Sequence, residues 1–109
     1  MAIKANLVID QGTTFNATID LTSSDGLVYD LTGHTVSSQI RKNYASSTAI
    51  SFIASHNDAG GKITLRLSPA VTSMMEPGRY LYDVEITSSE GEVSRVVEGV
   101  VTVTPGITR

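Results

Sequence analysis

The chain has 109 residues, a formal net charge of −3 and no cysteine. This length carries one hydrophobic core, so residues 1–109 read as a single domain. Without cysteine there is no disulfide, thiolate metal site or thiol catalysis. The eight basic residues (Lys4, Arg41, Lys42, Lys62, Arg66, Arg79, Arg95 and Arg109) are dispersed, and no nucleic-acid partner is expected, because such binding draws on clustered cations. Four tyrosines, two phenylalanines and no tryptophan are a poor supply for a stacking platform. Met1 to Asn6 lacks the apolar centre of a signal peptide, so synthesis and folding in the cytoplasm are expected. No apolar run approaches the roughly 20 residues of a spanning helix, and no membrane insertion is expected.

The first strand candidate is Ile3 to Ile9, broken by Asp10-Gln11-Gly12. Phe15, Ala17, Ile19 and Leu21 alternate with polar residues, which predicts a strand with one wet face. Ser23-Ser24-Asp25-Gly26 reads as a hairpin turn, and Leu27 to Leu31 as a short returning strand ended by Thr32-Gly33. His34 to Lys42 reads as the next strand, with Val36, Ser38 and Ile40 on one face. After the polar loop Asn43 to Thr48, Ile50, Phe52 and Ala54 alternate with Ser51, Ile53 and Ser55. Asn57 to Gly61 turns the chain into Lys62 to Leu67, where Ile63, Leu65 and Leu67 share a face.

Ser68-Pro69 has the chemistry of a helix start, with serine as N-cap and proline in the first turn. One or two turns near residues 69–75 are predicted, with Val71, Met74 and Met75 plugging the end of a sandwich. Pro77-Gly78 stops them. Arg79 to Ile86 then alternates as a strand, and Ser88-Ser89-Glu90-Gly91 turns it into a β-rich run from Glu92 to Thr104. That last run has a phase problem. Val93, Val97, Val101 and Val103 share one face with Arg95 and Gly99, and Val96, Val100 and Thr102 share the other. A bulge near Glu98-Gly99 would resolve it. Alternatively both faces are covered, one by the core and one by a partner chain.

Roughly seven strands with turn signals every 8–12 residues predict an all-β, immunoglobulin-like sandwich. Within it, Glu76-x-Gly78-x-Tyr80-x-Tyr82 matches a tyrosine corner, in which a phenol bonds to nearby backbone. Gly78, Tyr80 and Gly99 are therefore structural candidates. Val93, Val96, Val97, Val100, Val101 and Val103 are the candidate interface. His34 and His56 lack metal-ligand spacing. Asp83 and Glu85 share one strand face rather than a cleft. Asp25, Asp30 and Asp58 lie in or beside turns. There is no nucleophile elbow or phosphate loop. No catalytic residue, metal or cofactor is expected, and the chain reads as a non-enzyme.

The ordered motifs carry a resemblance. They are Val8-Ile9-Asp10-Gln11-Gly12-Thr13-Thr14-Phe15, Tyr29-Asp30-Leu31-Thr32-Gly33-His34-Thr35-Val36, Gln39-Ile40-Arg41-Lys42, Gly61-Lys62-Ile63-Thr64-Leu65, Gly78 to Glu85, and Val93 to Arg109. The most specific piece is Glu98-Gly99-x-Val101-x-Val103-x-Pro105-x-x-Thr108-Arg109. Together they resemble small virion proteins of tailed bacteriophages, including marine T4-like viruses. They are also similar to the immunoglobulin-like N-terminal domain of phage upper-baseplate proteins.

The resemblance implies a structural or adaptor protein of the tail, baseplate or fibre. It would be made in the host cytoplasm and carried in the virion, with other virion proteins as partners and a trimer or hexamer as its own assembly. Upper-baseplate proteins continue past the threonine-arginine ending, whereas this sequence stops at Arg109. A stand-alone adaptor is the corresponding expectation. The alternative is a carbohydrate- or cell-surface-binding module, for which Tyr29, Tyr44 and Tyr82 are the available aromatic residues.

Overall fold

A computed structural model describes residues 3–21, 31, 33–43, 49–57 and 61–106. The turn at Ser23 to Gly26, the loop centre 44–48 and all but the last residue of the predicted strand Leu27 to Leu31 lie outside the described residues. The strands are β1 (Ile3–Lys4), β2 (Leu7–Asp10), β3 (Phe15–Asp20), β4 (Thr35–Arg41), β5 (Ile50–Ser51), β6 (Ile53–Asn57), β7 (Lys62–Leu67), β8 (Gly78–Thr87) and β9 (Val93–Thr104). One helix, α1 (Pro69–Met74), separates β7 from β8.

Two sheets form an immunoglobulin-like sandwich. The larger runs β1-β9-β8-β4-β5, with β2 following β1 along the same edge of β9. The smaller runs β3-β7-β6. β1 and β2 are parallel to β9, and the remaining pairings are antiparallel. Period-two alternation explains the core. Tyr80, Tyr82, Val84 and Ile86 of β8 point inward, as do Ile63, Leu65 and Leu67 of β7. Ile9, Val97 and Val101 complete the packed layer at 0% exposure. Each aliphatic side chain buried this way contributes roughly 1.5–3 kcal/mol.

The segment 50–57 keeps its predicted alternation but serves both sheets. Ile50 and Ser51 pair with β4, whereas Ile53 onward pairs with β7. Phe52 is the crossing point. Its N–H donates to the Ser38 carbonyl at 3.0 Å, and its ring enters the core. There it meets Tyr82 edge-on at 6.1 Å and Phe15 at 5.8 Å, separations at which aromatic pairs gain beyond simple burial.

The bulge in β9 lies at Val96, two to three residues before the expected Glu98-Gly99. Val84 pairs with Val97 and Glu85 with Arg95, so Val96 is the extra residue. Gly99 pairs in register with Tyr82. The phase change brings Ser94 opposite the inward Ile86 and leaves Arg95 on the outer face.

Ser68 caps α1 as predicted, its Oγ accepting from the Val71 N–H at 3.3 Å with Pro69 in the first turn. Met74 does not plug the sandwich: it is 84% exposed, while Met75 is 2% exposed. The helix has six residues and hence one inward stripe, which Thr72 occupies at 0% exposure. Residue 74 lies two positions on, about 200° around the helix. Thr72 Oγ1 accepts from the Gly12 N–H at 3.1 Å and donates to the Thr13 carbonyl at 2.7 Å. Gln11 extends this clip, donating to the Met75 carbonyl and accepting from the Gly106 N–H, both at 3.0 Å. Replacing Ser68→Ala should cost about 1 kcal/mol, the usual value of an N-cap. A urea midpoint unchanged by Ser68→Ala would show that the clip alone holds the helix.

Candidate functional site

The outer face of the larger sheet is concave. Alternation that sends Tyr80, Tyr82, Val84 and Ile86 inward sends Arg79, Leu81, Asp83 and Glu85 outward. Cross-strand register sets their neighbours. Lys4, Glu98, Asp83 and Gln39 form one row across four strands. Val100, Leu81 and Arg41 form the next. The concavity encloses about 490 Å³ over these rows. Half-buried Leu81 and Val100 make an apolar floor.

The charges around this floor balance, with Lys4, Arg41 and Arg95 against Asp83, Glu85 and Glu98. Arg95 is held between two acids, its Nε 3.1 Å from Asp83 Oδ2 and its Nη1 3.4 Å from Glu98 Oε2. The bulge at Val96 enables this by keeping Arg95 outward beside β8. Arg41 Nη2 donates to Gln39 Oε1 at 3.1 Å. Such exposed pairs are worth about 0–1 kcal/mol each. Their effect is to fix the positions of charged groups rather than to stabilise the fold. An apolar centre with a polar, charged rim is the usual anatomy of a protein–protein contact surface.

The candidate interface valines divide between the two faces of β9. Val97, Val101 and Val103 are at most 2% exposed and belong to the core, so they are unavailable to a partner. Val93 is 59% exposed at the strand start, Val96 is half-buried and packs against the core, and Val100 is half-buried on the outer side. β9 is also flanked on both edges, by β8 and by β1 with β2. A count of valines along the sequence does not contain the bulge at 96 that separates them. Leu81, Arg41 and Arg95 are site residues that sequence reasoning misses. The signal for Leu81 is its place between two inward tyrosines.

Gly78 and Tyr80 lie at the start of β8. The Tyr80 hydroxyl donates to the Glu76 carbonyl at 2.7 Å. Gly78 has φ +140°, and a Cβ there would lie 3.1 Å from Lys42 Nζ. Lys42 occupies that space over the Tyr80 ring, 4.6 Å from its centroid. Burial and the nearby Glu76 carboxylate push the Tyr80 phenol up, partly opposed by its backbone hydrogen bond.

Gly99 answers a different need. A Cβ there would lie 2.0 Å from the Ala5 carbonyl oxygen. That carbonyl turns inward between β1 and β2 to accept the Tyr82 hydroxyl at 2.6 Å. The Val100 N–H, which would otherwise pair with it, donates to Asn6 Oδ1 at 3.1 Å. Asn6 thus stands in for a backbone acceptor.

His34 precedes β4 in the larger sheet and His56 lies on β6 in the smaller, so the fold does not bring them into one ligand set. Among the described residues, no group of three or more His, Cys, Asp or Glu could hold a metal ion. Also among them, no helix is long and apolar enough to cross a membrane. Tyr29 and Tyr44 lie outside the described residues, as do Asp25, Asp30 and Asp58. Tyr82 is 4% exposed, which removes its ring as a stacking surface for sugar.

No family model matches the chain, and no curated protein matches it. Among solved structures it is similar to a Listeria monocytogenes internalin-like protein, with 24% identity and a TM-score of 0.50 over 94% of this chain. The chain spans 28% of that protein's length. It is also similar to AggA, the major subunit of aggregative adherence fimbriae type I from Escherichia coli, with 14% identity and a TM-score of 0.49, covering 91% of this chain and 89% of that one. The first likeness shows the fold, an immunoglobulin-like β-sandwich, and nothing finer.

Proposed function

We propose that this chain is a non-enzymatic association module that docks protein partners on the concave outer face of its larger sheet. The observation carrying this reading is the half-buried Leu81–Val100 floor set among balanced, mutually positioned charges. A uniformly basic or acidic partner would meet as many like charges as opposite ones there, so the face suits a mixed protein surface. The setting proposed is a bacteriophage tail, baseplate or fibre, with other virion proteins as partners. Its support is the order of sequence motifs closing on Glu98-Gly99-x-Val101-x-Val103-x-Pro105.

Leu81→Glu combined with Val100→Glu should abolish docking while leaving the inward faces of β8 and β9 intact. The measurement is co-sedimentation of the chain with purified phage particles, with circular dichroism as the fold control. Wild type should travel with the particles and the double variant should stay behind. A folded double variant that incorporates like wild type would remove the concave face from the mechanism. A wild-type chain absent from the particles would sink the virion setting.

A further inference from the structure

We propose that two copies of this chain join through the N-terminal edge of the larger sheet. In this dimer β1 and β2 of one copy pair antiparallel with those of the other about a two-fold axis at Leu7. The proposal is independent of what the concave face binds.

Hydrogen-bond direction supports the edge. The Ala5 and Gln11 N–H groups both donate into β9, to Glu98 and Thr104 at 3.0 Å. In an extended strand successive residues point their backbone groups to opposite sides. Lys4 and Val8 therefore aim N–H and C=O away from β9, as do the Asn6 carbonyl and the Asp10 N–H, whereas the Asp10 carbonyl accepts the Thr13 N–H at 3.2 Å and hydroxyl at 2.7 Å. Among the described residues, no strand pairs with β1 or β2 on that side. Ile3 at 42% and Val8 at 61% exposure lie on this edge. Such an edge is a template for another strand.

Charge selects the occupant and the register. A lysine on an edge strand ordinarily guards against pairing. Here a two-fold axis at Leu7 sets Lys4 opposite Asp10, Asn6 opposite Val8 and Ala5 opposite Ile9. Lys4 has no ion-pair partner among the described residues. Asp10 is exposed, and one carboxylate oxygen accepts the Thr104 hydroxyl at 2.7 Å, which steadies it on the outer face. The symmetry makes the ion pair twice. In this register the Val8 N–H also meets the Asn6 carbonyl and the Asp10 N–H meets the Lys4 carbonyl, each twice by symmetry, and inward residues stay on the core face. Shifting by two residues either way sets Lys4 against Val8 or Asn6 against Asp10, and the ion pairs are lost. A second copy thus supplies both the backbone groups and the opposite charge, through an isologous contact that closes on itself.

The test is sedimentation of the whole chain across a concentration series. Wild type should dimerise. Lys4→Asp or Asp10→Lys alone puts like charges together at both symmetry-related contacts, which should weaken the dimer about 10- to 30-fold. Lys4→Asp with Asp10→Lys should restore it. Thermal melts check the fold, since Asp10 also serves Thr104. Val8→Pro removes an N–H aimed at the free edge and should abolish the dimer without either charge change. A wild type monomeric at every concentration overturns the proposal. A dimer untouched by all these variants, or one lost on Leu81→Glu instead, overturns it too.

Discussion

Gly99→Val should be the most damaging single change outside the aliphatic core, lowering stability by about 3 kcal/mol or more. The Cβ alone would sit 2.0 Å from the Ala5 carbonyl oxygen and 3.1 Å from the Tyr82 ring. Backbone cannot yield as a flexible side-chain tip does. β1 would have to move off β9, and two hydrogen bonds would go with it, Tyr82 to Ala5 and Val100 to Asn6. For a domain of about this size the loss corresponds to a melting temperature lower by roughly 10–20 °C. Gly99→Ala should show most of this effect, because the clash is already complete at Cβ. A variant melting within a degree or two of wild type would mean that β1 contributes little to the fold.

This glycine shows where sequence reading reaches and where it stops. Its importance is legible as an interior glycine in a valine-rich strand, but the local pattern explains it by a bulge. The bulge is at Val96, where no residue type marks it. Gly99 is instead small because a strand from the other end of the chain turns a carbonyl toward it. That contact joins residues 5 and 99, and no local pattern encodes it. The helix divides in the same way. Ser68-Pro69 announces its start through local chemistry. Its inward face depends on Thr72 meeting the Gly12 and Thr13 backbone, a long-range contact, so the prediction for Met74 fails.

The candidate site is half legible for a related reason. Period-two alternation does say that Leu81, Asp83 and Glu85 face away from the tyrosines. It does not say which strands flank them, so the pairing of Arg95 with Asp83 and Glu98 cannot be read. Counting valines favours β9 as an interface, yet β9 has a neighbour on each edge and gives three of those valines to the core. Among the described residues, β1 and β2 leave one edge of β9's sheet unpaired, and their short, mixed sequence carries no such signal.

Tyr82→Phe should remove about 1–3 kcal/mol at neutral pH and flatten the loss of stability in alkali. The first effect follows from leaving the Ala5 carbonyl without its donor beside a buried ring. The second follows from burial, which pushes the Tyr82 phenol up to about 12 from an ordinary 10.0. The folded state therefore holds this proton more tightly than the unfolded state. Its stabilising contribution is complete below pH 10 and is lost as pH rises from 10 to 12, where the unfolded chain releases the proton first. Tyr80 acts in the same direction, so the variant should reduce the slope rather than abolish it. Urea midpoints collected across that range test both effects, and identical slopes for the two proteins would exclude Tyr82 as the titrating group. A cycle with Asn6→Ala tests the geometry. Without the tyrosine hydroxyl, the Ala5 carbonyl is free to turn back toward the Val100 N–H that Asn6 now satisfies. The double variant should then cost less than the sum of the single ones. Strict additivity would mean that the Tyr82–Ala5 and Asn6–Val100 bonds form independently.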